Sequence, residues 1–254
     1  GDVYKRQVYK GNGKYFNADG SVNPAGGPKG GMIRTEEDMN WEKAMMDAGY
    51  KFKPGNSIGK ANIYYGDYIY ADVNGDGVYG DSDDEEFQGR SKTPKYNFGF
   101  QASAAWNGFD ISMVWAGAAG FDIYWGPTAG YNAAKTEWGN NIAQRIADDH
   151  YFYDPSNPDD PRTNINGKYP RMTYLDGNVQ NNASSNRWLY NGDYIKLKNL
   201  SLGYTLPQKW VTKVAMQNAR IYVSAENLLT ITSFEGQDPE SATGMGSVSY
   251  THLR

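Results

Sequence analysis

Cysteine is absent from the chain, and histidine occurs only twice in 254 residues. With no cysteine there is no disulfide framework and no thiolate metal site, a composition compatible with an exported bacterial protein. No run of 18 apolar residues occurs, which excludes a transmembrane helix but leaves membrane-crossing strands open. Residues 1–7 carry no signal-peptide pattern. A basic surplus is missing too: the net charge is -4 and the pI near 5.3, against a nucleic-acid partner, which calls for a basic face. Apolar content is low, 39% with a mean hydropathy of -0.74. A large barrel accounts for this, because only the outward side of each strand has to be apolar.

What is present is aromatic and alternating. The chain holds 21 Tyr and 7 Trp, which fits rings at membrane interfaces and equally fits a secreted sugar-binding protein. From Pro94 to Asp122, Tyr96, Phe98, Phe100, Ala102, Ala104 and Trp106 share one face, with Asn97, Gly99, Gln101, Ser103 and Ala105 opposite. After Asn107-Gly108, a pair suited to the positive φ angles of a tight hairpin, Phe109, Ile111, Met113 and Trp115 resume the apolar face. Each arm supplies about ten residues, enough for a tilted strand to cross a bilayer. A long hairpin in a soluble β-protein fits this stretch equally well.

Alternation returns at Tyr194–Leu206 and Ala219–Thr232. There Leu200, Leu202, Tyr204 and Leu206, then Ile221, Val223 and Ala225, form apolar faces, and Glu226 is expected to point into a lumen. Simple parity puts Lys196 and Lys198 on the lipid side, costly at mid-bilayer unless the upper strand extends beyond it. Thr35-Glu36-Glu37-Asp38 opens a helical stretch that ends at Gly49, read as a small surface helix. Tyr124–Arg187 lacks strand alternation and contains an amphipathic helix candidate from Glu137 to Asp149, which implies a functional outer loop or disorder. His150 comes directly after that candidate and receives no catalytic role. The tight turn belongs on the periplasmic side and the long segments outside.

Asp72–Asp83, DVNGDGVYGDSD, matches the spacing of a calcium loop. Asp72, Asn74 and Asp76 converge side-chain oxygens, Gly77 permits the turn, Val78 offers its carbonyl and Asp83 closes the shell of a Ca2+ site. Gly80 leaves the ninth position without a side-chain oxygen, and Asp83 is shorter than the usual glutamate. The alternative is a merely solvated acidic turn, and the six constraints met together put the calcium reading ahead of it.

Residues 1–7 and 247–254 resemble translated adaptor sequence and are expected to be non-native, flanking a fragment at 8–246. Between them, DVNGDG, PKYNFGF, WNGFDISMVWAG, YIKLKNLSLGYTLP, RIYVSAENLLTIT and GQDPE occur in order. This succession resembles the C-terminal barrel region of SusC/RagA-type TonB-dependent outer-membrane transporters, over about Ile33 to Ser241. The resemblance implies an all-β fold: a partial transmembrane antiparallel β-barrel, a piece of a 22-stranded one, with long extracellular loops carrying short helices. It further implies import of oligosaccharides, glycans or peptides across the outer membrane of a Gram-negative, Bacteroidetes-like cell. Such import is coupled to TonB and served by a SusD-like surface lipoprotein, through parts of the protein not present here, with outer-membrane lipid around the wall and no nucleic acid. No covalent chemistry is expected. A glycosidase needs two carboxylates across a sugar bond, and no strand-end pair stands out. The alternative is a secreted calcium-binding β-protein that binds carbohydrate.

Overall fold

A computed structural model describes residues 4–55, 63–126, 142, 144–172, 180–214, 216–236 and 238–241. In chain order its elements are β1 (Tyr4–Arg6), α1 (Glu36–Asp47), β2 (Lys51–Phe52), β3 (Val78–Tyr79), β4 (Glu85–Phe87), β5 (Tyr96–Trp106), β6 (Phe109–Ala119), β7 (Asp122–Tyr124), α2 (Gln144–Asp148), β8 (Leu189–Asn191), β9 (Tyr194–Thr205), α3 (Gln208–Val211) and β10 (Arg220–Thr232), with a few 3-10 turns between them. The chain divides into two compact units, one built from Asp2–Gly89 and Tyr124–Leu189, the other from Arg90–Ile123 and Tyr190–Arg254.

The second unit is the sheet that the alternation predicts. Four antiparallel strands run in the order β10-β9-β6-β5. Asn107 and Gly108 have φ of 49° and 87°, the left-handed pair that lets β5 turn into β6 with Trp106 opposite Phe109. Among the described residues the sheet does not close on itself; β5 and β10 are its edges.

One expectation is overturned here. Register slips between Val114/Trp115 on β6 and between Glu226/Leu229 on β10, and Lys198 of β9 has no partner on β6. Asn227 adopts a φ of 50° at the same level. The extra residue of a bulge reverses the parity of everything beyond it. Leu197 therefore continues the apolar face, opposite Trp115 and Leu229, while Lys196 joins the polar face opposite Ala116 and Thr230. The lipid-side lysine at 196 was an artefact of counting by two through a bulge.

The first unit is a folded body with an aromatic core, where the sequence reading allowed disorder. In α1, Thr35 accepts from the Asp38 amide and the Asp38 carboxylate accepts from the Thr35 amide, the reciprocal cap that the sequence indicates. The helix is not a surface element. Asp38, Trp41, Glu42 and Met45, spaced i, i+3, i+4 and i+7, are buried, and Trp41 and Met45 meet Ile33, Phe52 and Ile69. Tyr68, Tyr70 and Tyr151 form a neighbouring cluster, and α2 contributes Ile146 to a third with Tyr169 and Trp188. The proposed start of α2 at Glu137 lies outside the described residues, as does the 247–254 tail. Residues 4–6, set aside as adaptor-like, form β1 and pair with β4, and the Gln7 carbonyl accepts from the Ala71 amide.

Candidate functional site

The four-stranded wall has two chemically distinct faces, and the register lines each up in rows. On the apolar face, Trp106, Phe109, Tyr204 and Ile221 form one row, with Ala104, Ile111, Leu202 and Val223 in the next. Further on, Phe100 stacks on Trp115 with ring centroids 6.0 Å apart, and Phe98 and Tyr96 lie beyond. Trp106 is 79% exposed, Val223 69% and Ile221 65%. Water-soluble monomers rarely leave so contiguous an apolar surface uncovered. From Trp106 to Tyr96 the strand rises about 33 Å, which a tilt of ~40° projects to about 25 Å, the height of the apolar band on an outer-membrane barrel. Rings sit at both edges and small or aliphatic side chains between them, which is the distribution a lipid-facing wall needs.

The opposite face is mostly polar or small, with Val114 its one large aliphatic side chain on β5 and β6. Ser103, Ser112, Ser201 and Ser224 occupy one row across all four strands, and Gln101, Val114, Asn199 and Glu226 occupy the next. Glu226 thus lies on the side expected of it. Near the turn, Arg220 of β10 reaches over β9 to Asp110 of β6, with Nε to Oδ1 at 3.0 Å and Nη2 to Oδ2 at 2.5 Å. Gly203 makes the crossing possible, because a Cβ there would lie 2.6 Å from Asp110 Oδ1. Beyond the bulge, Lys196 pairs with Asp238 and with Glu240 at 3.1 Å, and Lys198 with Glu240 at 2.8 Å. The GQDPE segment is thereby tied back to β9, and Lys198 with Lys196 holds the Glu240 carboxyl below its usual range. None of these cross-strand pairs is visible without the register.

The Asp72 loop is ordered by its own side chains. Asp72 accepts from the amides of Gly75, Asp76 and Gly77, Asn74 from that of Asp76, and Asp76 from that of Val78. Four of the five expected ligands, Asp72, Asn74, Asp76 and Val78, therefore lie in one turn. Asp83 is exposed on the short 3-10 turn that comes next. The buried carboxylate that ties the loop shut is Asp84, which accepts from Val73 and Asn74 at one end and from Gly80 and Asp81 at the other. Asp84 escapes a motif reading because it stands one residue past the acidic position of the pattern. Among the described residues no group of three or more acidic or histidine side chains is gathered in a metal-holding arrangement. Asp72 Oδ2 and Asp76 Oδ1 accept one amide each, and an oxygen with two lone pairs then keeps one able to face a cation. His150 places Nδ1 2.8 Å from the Ala147 carbonyl at the end of α2.

No family model matches the chain. TonB-dependent receptor P3 of Formosa agariphila is 30% identical over 193 residues, 76% of this chain and 17% of that protein. TonB-dependent receptor P26 of the same organism is 26% identical over 203 residues, 71% and 17% of the two. The chain thus spans about a sixth of the length of these curated relatives. Among solved structures, the RagAB peptide transporter aligns with a TM-score of 0.49 at 22% identity, over 75% of this chain and 19% of that one. The RagAB peptide importer in its closed-closed state aligns with a TM-score of 0.47 at 24% identity, over 75% and 20%. An apolar wall edged with rings, backed by a polar face and carried on a sequence 30% identical to a TonB-dependent receptor, places the chain in the outer membrane as a member of the TonB-dependent receptor family.

Proposed function

We propose that this chain supplies wall strands and substrate-facing outer loops of an active importer of glycans or peptides. The barrel is of the 22-stranded kind, driven through TonB and covered by a SusD-like lipoprotein. The observation that carries this reading is the apolar face of β5, β6, β9 and β10 with aromatic rows at its two edges. Two open strand edges support it as well, since unpaired backbone is not tolerated in hydrocarbon and further strands of the whole receptor have to meet them. The chain performs no covalent chemistry in this reading. Its polar face, with the serine row and Glu226, lines the lumen. In the full-length receptor, recovery in the outer-membrane fraction and heat-modifiable migration are the expected results; solubility without detergent would sink the proposal.

The reading includes a calcium ion at the Asp72 loop, held by Asp72, Asn74, Asp76 and the Val78 carbonyl with Asp83 as the closing acid. Three oxygen-bearing side chains at alternate positions before an obligatory glycine are what supports it. Titration calorimetry of the full-length receptor should register calcium uptake that Asp76→Ala abolishes. If no heat accompanies calcium addition, the loop is a self-sufficient turn and the ion is dropped.

A further inference from the structure

The first unit holds a cavity of about 630 Å³ whose lining includes Tyr64, Tyr65, Phe152, Tyr153, Arg162 and Asn164. Its rings are set at steep angles to one another. Tyr65 meets Tyr64 at 76° and Tyr153 at 79°, each with centroids 5.3 Å apart. Rings so placed offer faces in more than one direction within a single cavity, where a flat stack would offer one.

The hydroxyls separate these tyrosines from those of the core. Tyr9 donates to the Pro24 carbonyl, Tyr15 to Asp38, Tyr70 to the Gln180 carbonyl and Tyr151 to the Arg34 carbonyl. Among the described residues, the hydroxyls of Tyr64, Tyr65 and Tyr153 make no such bond, although all three side chains are half-buried. A half-buried phenol without a protein partner is available to a ligand that brings its own donors and acceptors.

The charges are already matched. Arg162 lies over the Phe152 ring, and its guanidinium grips Asp160 twice, at 2.9 and 2.7 Å, which holds that carboxyl down at about 2. Arg171 does the same to Asp67, at 2.7 and 3.0 Å. Among the described residues Asp148 is the one carboxylate in the lining itself, and it accepts from Gln144 Nε2 at 3.2 Å. Each lining arginine thus already has a carboxylate partner, so the cavity does not select for a ligand's sulfate, phosphate or carboxylate.

We infer that this cavity is a subsite for one ring of an uncharged saccharide, its C–H face against a tyrosine ring and its hydroxyls on the free phenols and Asn164. The positive edge of C–H bonds suits the negative face of an aromatic ring, and hydroxyl groups suit phenols, whereas an apolar peptide side chain leaves those phenols unmatched. The inference rests on the importer reading above and narrows its cargo class.

The test uses the full-length receptor in detergent micelles, titrated by calorimetry with maltohexaose, cellohexaose and mannohexaose, and in parallel with hexagalacturonate and an alanine-serine hexapeptide. One neutral hexasaccharide should bind, and Tyr153→Ala should weaken it ~10-fold, about the loss expected for one ring contact with its hydroxyl. Tyr153→Phe, which removes only the hydroxyl, should give a smaller loss, and unchanged heat-modifiable migration will establish that each variant is folded. Three results overturn the subsite: no neutral hexasaccharide binds, a charged or peptidic ligand binds more tightly, or Tyr64→Ala and Tyr153→Ala both leave affinity unchanged. Outer-membrane recovery and TonB-dependent uptake by cells are read separately, so the subsite can fail while the importer stands.

Discussion

Glu42→Gln in the full-length receptor is expected to raise the amide-exchange protection of α1 at neutral pH and to flatten its dependence on pH. Glu42 sits on the buried stripe of the helix beside Trp41 and Met45, is fully buried, and neither carboxylate oxygen has a hydrogen-bond partner among the described residues. Burial without a partner disfavours the charged form and pushes its pKa up to about 8 from an ordinary 4.5. Below about pH 4.5 the carboxyl is protonated whether α1 is docked or open, and its ionisation has no effect on stability. Between about 4.5 and 8 the open state gives up the proton while the docked state keeps it, so stability falls as pH rises. Above about 8 both states are ionised and the loss is complete.

Over the full window the effect reaches about 5 kcal/mol, and at pH 7 roughly 3. Glutamine removes the titration, and Glu42→Met removes the polar group as well, so both variants should protect Trp41 and Met45 amides more than the parent does at pH 8 and alike at pH 4. A parent whose α1 exchange, corrected for intrinsic rates, does not change between pH 5 and 8 would contradict the buried, unpartnered carboxyl.

The second large effect is expected at Asp67. This carboxylate is fully buried, grips Arg171 with both oxygens, and accepts from the Asn181 side chain at 2.8 Å and the Tyr64 amide at 2.9 Å. Two stretches about a hundred residues apart in the chain meet on it. Asp67→Ala removes the carboxylate that holds Arg171 with both oxygens, and breaking a buried ion pair in this way costs about 3–5 kcal/mol. Exchange at the Gly66, Ile69 and Arg171 amides, which bond to Ile33, Gly31 and Gly66 carbonyls, should quicken by about two to three orders of magnitude. The double variant Asp67→Leu with Arg171→Met should recover most of that protection, because a matched apolar pair replaces a matched ionic one. Quickening of less than tenfold in Asp67→Ala would mean that the pair is not what locks these stretches together.

The two effects differ in how visible they are in the sequence. Glu42 stands four residues after Asp38 on a helix whose start is written in Thr35 and its acids, but its burial depends on which side of α1 the core occupies, and composition is silent on that. Asp67 and Arg171 lie so far apart in sequence that no local pattern couples them. The same holds for Asp110 and Arg220, joined over Gly203, and for Lys196 with Asp238 and Glu240. Asp84, rather than Asp83, closes the Asp72 loop because a 3-10 turn rotates the two side chains in opposite senses, one to solvent and one inward.

Strand positions, the hairpin turn and the helix cap were determined by the sequence alone, because each depends on local chemistry. Alternation of apolar and polar residues is a property of neighbours, Asn-Gly takes positive φ wherever it stands, and a threonine three residues ahead of an acid caps the helix that begins there. Only the tertiary structure decided the parity beyond the bulge, which placed Lys196 on the polar face. It also decided the folded core made from segments that look like loops, and the cavity in which the hydroxyls of Tyr64, Tyr65 and Tyr153 have no hydrogen bond among the described residues. Those features depend on distant backbone being brought into register, and a bulge of one residue or a buried ion pair leaves no periodic trace along the chain.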